Sequence, residues 1–572
     1  MCPFKSIDPR PLFIESRGRN PDRQALRKDR VPALPKPMSS FSSLGIVFLI
    51  FICWIGVGCQ KESPERPAWN GKQPVRGGSL RIAAQLPESL DPIHSKNYWE
   101  SEIVLQLFDG LLRFDKDLNT APALAQDWHV SPDGKTYTFN LRAGARFHNG
   151  RAITADDFVY TLTRLLDPKW NSADAQHYAK IQGAAAFRLG RTATVSGLKA
   201  VNPVTLQILL EQPYAPFLRV LAQQPAFVVP REEVERVGTD FGRHPVGSGA
   251  FRLEKWDGGT EILLSANSDH YEGSPYLNEV RITAVPALNA MESFQLFADG
   301  KLDLSFVPTE QIPVAQDRTD WVFLSRPILR LMYLGINLRD ELLQNRKVRL
   351  AVAASVNKSH VLGQDLDYTI THSLIPFSVL GSDPARYADT YDLEAARRAL
   401  KQVRWKSPRV QVKLWHARVS ESRNQLLARL ADDLRATGFE VELKLVASMG
   451  QLLNAIDTGK TQLFLLGEQM DFPDPDALLS RLFHSKSPSN PFGYRNPRVD
   501  SMLVEAQATL DDDQRAKLYA EIETQILDDH PILPLFLVKY SFVHHRRLQG
   551  LDLTPLGFQY LPFRSVWFQP TQ

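Results

Sequence analysis

Three carboxylates stand close together in the segment EQMDFPDPDALLSRLF, residues 468–483. Asp471, Asp474 and Asp476 are separated by one or two residues, two of which are prolines. Carboxylates at this spacing can bind a metal ion, form an acid–base pair or hold a cationic ligand. They can equally build a turn and the start of a helix. The segment by itself leaves these four interpretations open.

The segment follows a predicted central strand. TQLFLLGE, residues 461–468, is apolar on both faces, which is typical of a strand inside a parallel sheet. Upstream of it, strand and helix patterns alternate in RVQVKLWHA, SESRNQLLARLADDLRATG, FEVELKLVA and SMGQLLNAIDTGK. This alternation predicts a parallel sheet covered by helices, in which ligands bind just beyond the carboxyl ends of the strands. Asp471, three residues after the predicted strand, lies at that position.

The first half of the body also combines strands with helices. GSLRIAAQL (78–86) predicts a strand, and the strict alternation in KTYTFNLRAG (135–144) predicts a half-buried antiparallel strand. ITADDFVYTLTRLLDP (153–168) predicts a helix that begins at Thr154, with Asp157 three residues on as in a capping box. The fold class predicted by these patterns is α/β.

Length and charge restrict the classes of function. The chain has 572 residues, which is too many for one hydrophobic core, and its 43% apolar and 23% charged residues are ordinary for a globular protein. Residues 1–37 hold nine Lys or Arg against four Asp or Glu, a net charge of +5, whereas the whole chain carries +3. The remainder therefore carries −2, and such a body without a basic stripe argues against nucleic acid as a partner.

The beginning of the chain predicts export. The apolar run LGIVFLIFICWIGVG, Leu44 to Gly58, is short for a membrane span and typical of a secretory signal. Cys59 follows it, as in bacterial lipoprotein signals whose cysteine is lipidated, although Gly56 stands where such signals usually have Leu. An uncleaved N-terminal anchor is the alternative. Residues 1–37 are then either a disordered basic arm or sequence ahead of a true start at Met38. A lipoprotein signal and an uncleaved anchor both predict a protein of the periplasm or cell surface that is anchored to the membrane at its N-terminus.

Motifs for catalysis or metal binding are weak. The three cysteines, Cys2, Cys53 and Cys59, all precede the body, which leaves the body without a disulfide, a thiolate nucleophile or a Cys-based metal site. His544 and His545 have no partner at helical spacing. The sequence contains no Gly-x-Ser-x-Gly, phosphate-binding Lys loop or zinc-helix motif. We predict no catalytic residue, no metal and no cofactor.

Several segments together resemble one family. They are SLDPI after the first strand, residues 105–165 with the turn Phe147-His148-Asn149-Gly150, HPVGSGAFRL, MYLGINL with NRKVRLAVAASVNK, YDLEAARRAL, LARLADDLRATGFEVEL, and residues 471–503 with DFPDP and NPFGYRNPRVDSML. In this order they resemble solute-binding protein family 5, the binding proteins of bacterial ABC importers for oligopeptides, dipeptides and nickel. The resemblance extends from about residue 78 to 565. His148 matches the family turn, and we interpret it as structural.

The resemblance implies an architecture of two lobes with mixed sheets. This is the periplasmic-binding-protein fold, with an extra subdomain in the first lobe and a ligand cleft between the lobes. The expected parts are a basic extension (1–37), a signal segment (38–59), a tether (60–77), lobe I (78–111 and 244–327) with its subdomain (112–243), lobe II (328–535) and a C-terminal return to lobe I (536–572).

The resemblance also implies a role for Asp471. In peptide-binding members, the aspartate at this position pairs with the α-ammonium group of the peptide, a charge-assisted hydrogen bond of roughly 1.5–3 kcal/mol. Residues 468–470 are placed to offer a strand edge to the peptide backbone, facing residues 85–88 of the first lobe. The expected ligand-binding residues are Asp471, Glu468, Gln469, Met470, Phe472, Gln85 and Glu88. The predicted function is capture of short peptides for a membrane permease by a monomer that catalyses no reaction.

One departure from the family pattern leaves the ligand open. Peptide-binding members often have Trp where this chain has Glu468. The pocket then prefers cationic ligands, or Glu468 pairs with a nearby Lys or Arg, or the ligand is a metal chelate, haem, sugar or opine-like molecule. A hydrolase would require the Asp471 and Asp474 carboxyls to face one cavity at roughly 5–10 Å. We interpret Asp474 and Asp476 instead as parts of a turn and a helix start.

Overall fold

A computed structural model of the chain describes residues 73–570 with the exception of 96, 257–259, 287, 404–409, 419–420 and 558–559. The predicted basic extension, the signal segment with Cys59, and residues 60–72 of the tether lie outside the described residues. Within the described part, no helix is both long enough and apolar enough to cross a membrane.

The described residues contain nineteen strands and fifteen α-helices. The strands are β1 (Ser79–Gln85), β2 (Leu112–Phe114), β3 (Thr120–Pro122), β4 (Ala125–Val130), β5 (Thr136–Leu141), β6 (Leu198–Asn202), β7 (Thr205–Leu209), β8 (Phe251–Trp256), β9 (Glu261–Ala266), β10 (Glu279–Val285), β11 (Leu304–Phe306), β12 (Trp321–Ile336), β13 (Tyr368–Ile370), β14 (Gln411–Ala417), β15 (Glu440–Val446), β16 (Leu463–Gln469), β17 (Ile532–His545), β18 (Leu548–Gln549) and β19 (Trp567–Phe568). The helices are α1 (Tyr98–Leu107), α2 (Ala155–Leu166), α3 (Ala184–Arg188), α4 (Phe217–Leu221), α5 (Arg231–Val237), α6 (Ala290–Ala298), α7 (Ile312–Asp317), α8 (Arg346–Ser355), α9 (Lys358–Leu362), α10 (Leu393–Lys401), α11 (Glu421–Thr437), α12 (Met449–Asp457), α13 (Asp476–Phe483), α14 (Pro497–Ala508) and α15 (Asp512–Asp529).

Three larger sheets organise these elements, and β2-β3 and β18-β19 form two further two-stranded sheets within the described residues. The first has the order β1-β10-β9-β8, with β1 parallel to β10 and the other pairs antiparallel. The second, β4-β5-β7-β6, is antiparallel throughout. The third has the order β11-β17-β12-β16-β14-β15, with β13 on β17. Within it, β14, β15 and β16 are parallel whereas β12 and β17 run antiparallel, so the sheet is mixed.

The strand and helix patterns of the sequence are confirmed where they were strongest. β5 pairs antiparallel on both sides and alternates between half-buried and buried residues. In α2, Phe158, Leu162 and Leu165 lie on the buried face. The carboxylate of Asp157 accepts a hydrogen bond of 2.8 Å from the backbone N–H of Thr154, which satisfies a donor at the start of the helix. The predicted strand–helix–strand–helix–strand run forms β14, α11, β15, α12 and β16.

β12 and β17 are neighbouring long strands in the third sheet. β12 and β17 pair antiparallel over almost their full lengths, from Trp321 opposite His545 to Gly335 opposite Ile532. Their register shifts between Pro327 and Leu331. On one side of this irregularity β17 pairs with β11, and on the other β12 pairs with β16. The lobe boundaries expected at 327/328 and 535/536 therefore fall inside two continuous strands.

One hydrophobic core joins the second sheet to the third. It contains Phe139 of β5 and Phe158 of α2. It also contains Phe464 of β16, Leu478 of α13 and, between these two elements, Phe472. All five side chains are almost completely buried. The segment after β16 is thus packed from two directions, which holds the backbone around Asp471 in one place.

His148 lies in the turn that resembles the family, and its surroundings favour the neutral imidazole. Its Nε2 lies 3.1 Å from the carbonyl oxygen of Gly249, and its Nδ1 accepts a hydrogen bond of 3.2 Å from the backbone N–H of Gly247. Both ring nitrogens are thereby used by a neutral ring. Burial lowers the pKa of His148 to about 4. Protonation would bring a second N–H against the Gly247 amide and bury a charge.

We therefore expect His148 to make the fold sensitive to acid. Because its folded-state pKa lies below the unfolded value of about 6.5, its contribution to stability is complete above pH 6.5 and is lost as the pH falls toward 4. The expected loss is about 2 kcal/mol between pH 7 and pH 5. Urea unfolding at both values should show a smaller difference for His148→Gln than for the wild type. The same change at the exposed His129 is the control, and an equal difference in all three proteins would contradict the expectation.

Candidate functional site

A cavity of about 230 Å³ lies at the carboxyl end of β16. Four parts of the chain build its wall: the start of α1 with the loop before it, residues 174 and 223–225, the end of β16 with the two residues after it, and Tyr560 near the C-terminus. Its lining residues are Pro92, Ser95, Asn97, Tyr98, Ser101, Asp174, Gln223, Gln224, Pro225, Gln469, Met470, Asp471 and Tyr560. Among these described residues there is no Lys or Arg, so the wall favours a neutral or cationic ligand.

Asp471 occupies the position that the parallel-sheet argument predicted. It is the second residue after β16, and its side chain is 38% exposed. The Nε2 atom of His177 lies 3.6 Å from its Oδ2 atom, a pair that is ionic only when the histidine is protonated. The ring of His177 also meets the ring of Phe472 edge-on at 5.9 Å. Asp471 therefore presents a carboxylate to the cavity with one partial partner at its side.

Asp474 faces away from this cavity. Its side chain is completely buried, and both of its oxygens accept hydrogen bonds of 2.9 Å from Nη2 of Arg515, which is also completely buried. Arg219 of α4 approaches the same carboxylate at 3.4 Å. Because Asp474 is enclosed by these two guanidinium groups, it does not form with Asp471 the carboxylate pair in one cavity that the hydrolase alternative requires.

Asp476 is the first residue of α13 and ties that helix to its neighbours. It accepts hydrogen bonds of 2.8 Å from the hydroxyl of Tyr214 and from Nε2 of Gln507, and one from the hydroxyl of Ser480. The backbone N–H of Asp476 in turn donates to Asp474. The interpretation of both residues as structural is consistent with these contacts. The sequence pattern predicted the turn and the helix start but not their distant partners.

Comparison with known proteins identifies the family. Residues 119–490 match the sequence profile of "Bacterial extracellular solute-binding proteins, family 5 Middle", which is more than half of the chain. The chain belongs to family 5 of the bacterial extracellular solute-binding proteins. Among its relatives, the probable deoxycholate-binding periplasmic protein YgiS of Escherichia coli K12 is 27% identical over 79% of this chain and 86% of its own length. The glutathione-binding protein GsiB of Salmonella paratyphi A is 26% identical over 82% of this chain and 91% of its own length.

Solved structures show the same fold. The ABC transporter-associated periplasmic binding protein DppA of Helicobacter pylori, in complex with the peptide STSA, superimposes with a TM-score of 0.70. The match covers 87% of this chain and 99% of that protein at 22% identity. This family 5 protein therefore has the mixed α/β fold of the two-lobe periplasmic binding proteins, as its sequence patterns and the resemblance predicted.

Glu468 forms an ion pair in this family 5 protein. Its Oε1 atom lies 2.5 Å from Nη1 of Arg481 in α13, and both side chains are mostly buried. Burial by itself would lower the pKa of Arg481, but the nearby carboxylates of Glu468 and Asp471 outweigh it and raise that pKa. Pairing with a nearby basic residue was one of the three consequences considered for Glu468. The charge of Glu468 is thus neutralised by the helix that follows its own strand.

The other predicted site residues are distributed unevenly. Gln469 and Met470 line the cavity with Asp471, although Met470 is almost completely buried, and Phe472 lies in the hydrophobic core behind them. The side-chain amide of Gln85 donates a hydrogen bond to the carbonyl oxygen of Pro286. Glu88 is exposed and is not among the residues that line the cavity. The structure therefore brings together the residues after β16 but does not place Gln85 and Glu88 against them in this cavity.

β16 also has an open backbone edge near the cavity. β12 pairs with it as far as Gln469, whereas β14 pairs with it only at Leu463 and Phe464. From Leu465 onward, no strand of the described residues lies on the side away from β12, although the carbonyl oxygen of Gln469 at the end of this edge accepts a hydrogen bond of 3.4 Å from Nη2 of Arg481. An extended segment can add to such an edge through main-chain hydrogen bonds.

Sequence reasoning missed several lining residues. Asp174, Gln223 and Tyr560 come from parts of the chain that are about 50 to 390 residues apart, and none lies in a motif that carries ligand chemistry. Asn97 was equally unmarked, and its side chain accepts hydrogen bonds from the backbone at the start of α1. Only the folded chain places these side chains around Asp471. In the described residues, no group of three or more His, Cys, Asp or Glu side chains is arranged to hold a metal ion.

Proposed function

We propose that this family 5 protein captures short peptides outside the cytoplasm and delivers them to an ABC permease, without catalysing a reaction. The observation that carries the proposal is the Asp471 carboxylate, which enters a cavity whose described lining contains no Lys or Arg. A receptor for peptides of varied sequence can rely only on groups that all peptides share: the α-ammonium, the backbone and the carboxylate. Asp471 is suited to the first of these.

The open edge of β16 supports the same proposal. Beyond Phe464 its backbone can pair with an extended peptide that starts at Asp471, because the edge ends two residues before that carboxylate. Side-chain amides of Gln223 and Gln469 in the lining can hydrogen-bond further peptide groups. An anionic solute would instead meet Asp174 and Asp471 with no lining cation to offset them.

Location and assembly belong to the proposal as well. We infer a monomer tethered to the membrane through lipid on Cys59 or through the apolar run Leu44 to Gly58, since the segment has the properties of a lipoprotein-like signal. Separation of membrane and soluble fractions from cells that express the wild type or Cys59→Ser tests the lipid attachment. A protein that remains in the soluble fraction in both cases contradicts the tether.

The peptide proposal is tested with a matched pair of ligands. We expect trialanine to raise the melting temperature of the protein, because a ligand at 100 times its Kd stabilises the folded state by about 2.7 kcal/mol. N-acetyl-trialanine keeps the backbone and carboxylate but lacks the ammonium, and it is expected to produce a much smaller shift. Mass spectrometry of the ligand that co-purifies with the protein provides an independent identification. Equal shifts with both peptides, or a co-purified solute without an amine, would contradict the proposal.

A further inference from the structure

We propose that Asp174 is a second cation-binding carboxylate, which selects ligands whose amine at Asp471 is accompanied by a nearby second positive charge. This inference rests on the proposed function and names its substrate class. For peptides, the class is those with Lys or Arg as the first residue, in which one residue carries both the α-ammonium and a basic side chain.

The charges around the cavity point to a dication. Asp174, Asp471 and Glu468 supply three carboxylates, and Arg481 supplies one guanidinium, which is already paired with Glu468. With His177 neutral, the lining itself therefore carries two negative charges, those of Asp174 and Asp471, and no positive one, while Arg330 lies outside the lining, opposite Gln469 in β12. A ligand with only an α-ammonium balances one of them, whereas a ligand with two cationic groups balances both.

Asp174 is the carboxylate without a partner. It lines the cavity, and within the described residues no hydrogen bond or ion pair reaches its side chain. Asp471 lines the same cavity of about 230 Å³, so the two carboxylates face one small space. Burial raises the pKa of Asp174, His177 lowers it, and the negative charge of Asp471 raises it. Burial, followed by Asp174 and Asp471, likewise raises the pKa of Tyr560, so this hydroxyl also lies near both. Two carboxylates in one small cavity are stabilised when cations enter it.

A second observation in the same cavity independently indicates a ligand. Gln223 lines the cavity, is only 6% exposed, and its side-chain nitrogen Nε2 has no hydrogen-bond partner in the described part of the chain. A buried amide donor without a partner is unfavourable, and a ligand acceptor such as a peptide carbonyl would satisfy it. Asp174 and Gln223 would then contact the side chain and the backbone of the same ligand.

The small volume of the cavity favours a ligand whose two positive charges are close together. Its volume of about 230 Å³ is below the roughly 300–1,000 Å³ that is usual for drug-sized ligands. Such a space accommodates the first residue of a peptide rather than several residues. The second positive charge must therefore lie on the residue that carries the α-ammonium.

The test compares two peptides that differ in one ammonium group. Lys-Ala-Ala and norleucine-Ala-Ala share the unbranched side chain, and only the first carries the second positive charge. Isothermal titration at pH 7, where the α-amine of both peptides is mostly an ammonium, is expected to show at least tenfold tighter binding of Lys-Ala-Ala to the wild type, because an added charge-assisted hydrogen bond has about that effect. In Asp174→Asn the ratio of the two affinities is expected to fall to about one.

A matched carboxylate controls for net charge. Asp317 at the end of α7 is exposed and outside the cavity lining, so Asp317→Asn is expected to keep the wild-type ratio. Asp174→Glu, which retains the charge, is expected to keep a preference for Lys-Ala-Ala. Circular dichroism verifies the fold of each variant, and the wild-type ratio decides the matter even if a variant fails to fold. Equal affinities of the two peptides for the wild type, or an unchanged ratio in a folded Asp174→Asn, overturns the inference.

A pair of simple amines separates this inference from the peptide proposal. If no peptide binds but 1,5-diaminopentane binds at least tenfold more tightly than 1-aminopentane and Asp174→Asn removes that preference, the peptide proposal fails and the second carboxylate site stands. If norleucine-Ala-Ala and Lys-Ala-Ala bind equally well, the peptide proposal stands and the inference about Asp174 fails. If neither peptides nor diamines bind, both fail.

Discussion

Replacing Asp474 with asparagine is expected to lower the free energy of unfolding by about 3–5 kcal/mol, since it removes one partner of a completely buried ion pair. Arg515 would keep a buried positive charge next to the hydroxyl of Tyr519, and Arg219 would keep only the more distant Asp512, at 4.0 Å. Urea unfolding at pH 7, followed by circular dichroism, measures the change. The effect is large because the desolvated guanidinium has no path to water, whereas a paired guanidinium at the surface is solvated.

The same arginine provides the control. Asp512 also contacts Arg515, at 3.3 Å, but its side chain is 59% exposed. We expect Asp512→Asn to cost less than about 1 kcal/mol, as surface ion pairs do. The double variant Asp474→Leu with Arg515→Met should be less destabilised than Asp474→Asn, because no unpaired charge remains buried. Similar losses for Asp474→Asn and Asp512→Asn would show that the buried pair does not support the fold.

The second large effect concerns ligand affinity. Asp471→Asn is expected to weaken the binding of trialanine by about tenfold to a hundredfold, since a charge-assisted hydrogen bond contributes roughly 1.5–3 kcal/mol. The lower part of this range is favoured because the side chain is 38% exposed and water screens its charge. Isothermal titration measures the change. Stability should stay nearly constant, since within the described residues the carboxylate makes one ion-pair contact, to His177 at 3.6 Å.

The peptide itself supplies the control for Asp471. N-acetyl-trialanine has no ammonium, so its weak binding should differ little between the wild type and Asp471→Asn. The exposed Asp317, changed to asparagine, tests whether net charge alone alters affinity. If trialanine binds to Asp471→Asn as tightly as to the wild type, the amine is held elsewhere, and the role assigned to Asp471 from the family resemblance is wrong.

Asp471 and Asp474 show how far a local motif can be interpreted. The prolines and the apolar strand before them placed both residues in a turn at the carboxyl end of a buried strand, and β16 and α13 are there. Both aspartates lie in the same short proline-containing turn, so the sequence allows either of them to face a ligand. What distinguishes them is Arg515, 41 residues later, which encloses Asp474. In the described part of the chain no arginine hydrogen-bonds to Asp471, because the nearby Arg481 is paired with Glu468.

Glu468 illustrates the same limit. Its difference from the usual Trp was visible in the sequence and left three consequences open. α13 carries Arg481 back over the end of β16, and the two side chains pair at 2.5 Å. Spacing along the chain does not determine this contact, because it depends on the angle at which the helix leaves the turn. The cationic preference that we infer therefore rests on Asp174, which no motif marked.

By itself, the sequence determined the alternation of strands and helices, the parallel direction of β14, β15 and β16, the capped start of α2 and the family to which these patterns belong, but not the antiparallel pairing of β16 with β12. Those features depend on hydrophobic periodicity and capping, which act between residues a few positions apart. Only the tertiary structure decided which carboxylates are buried in ion pairs, which one faces the cavity, and that Asp174, Gln223 and Tyr560 surround it. Burial and charge pairing join residues that are tens to hundreds of positions apart, so they arise only when the chain has folded.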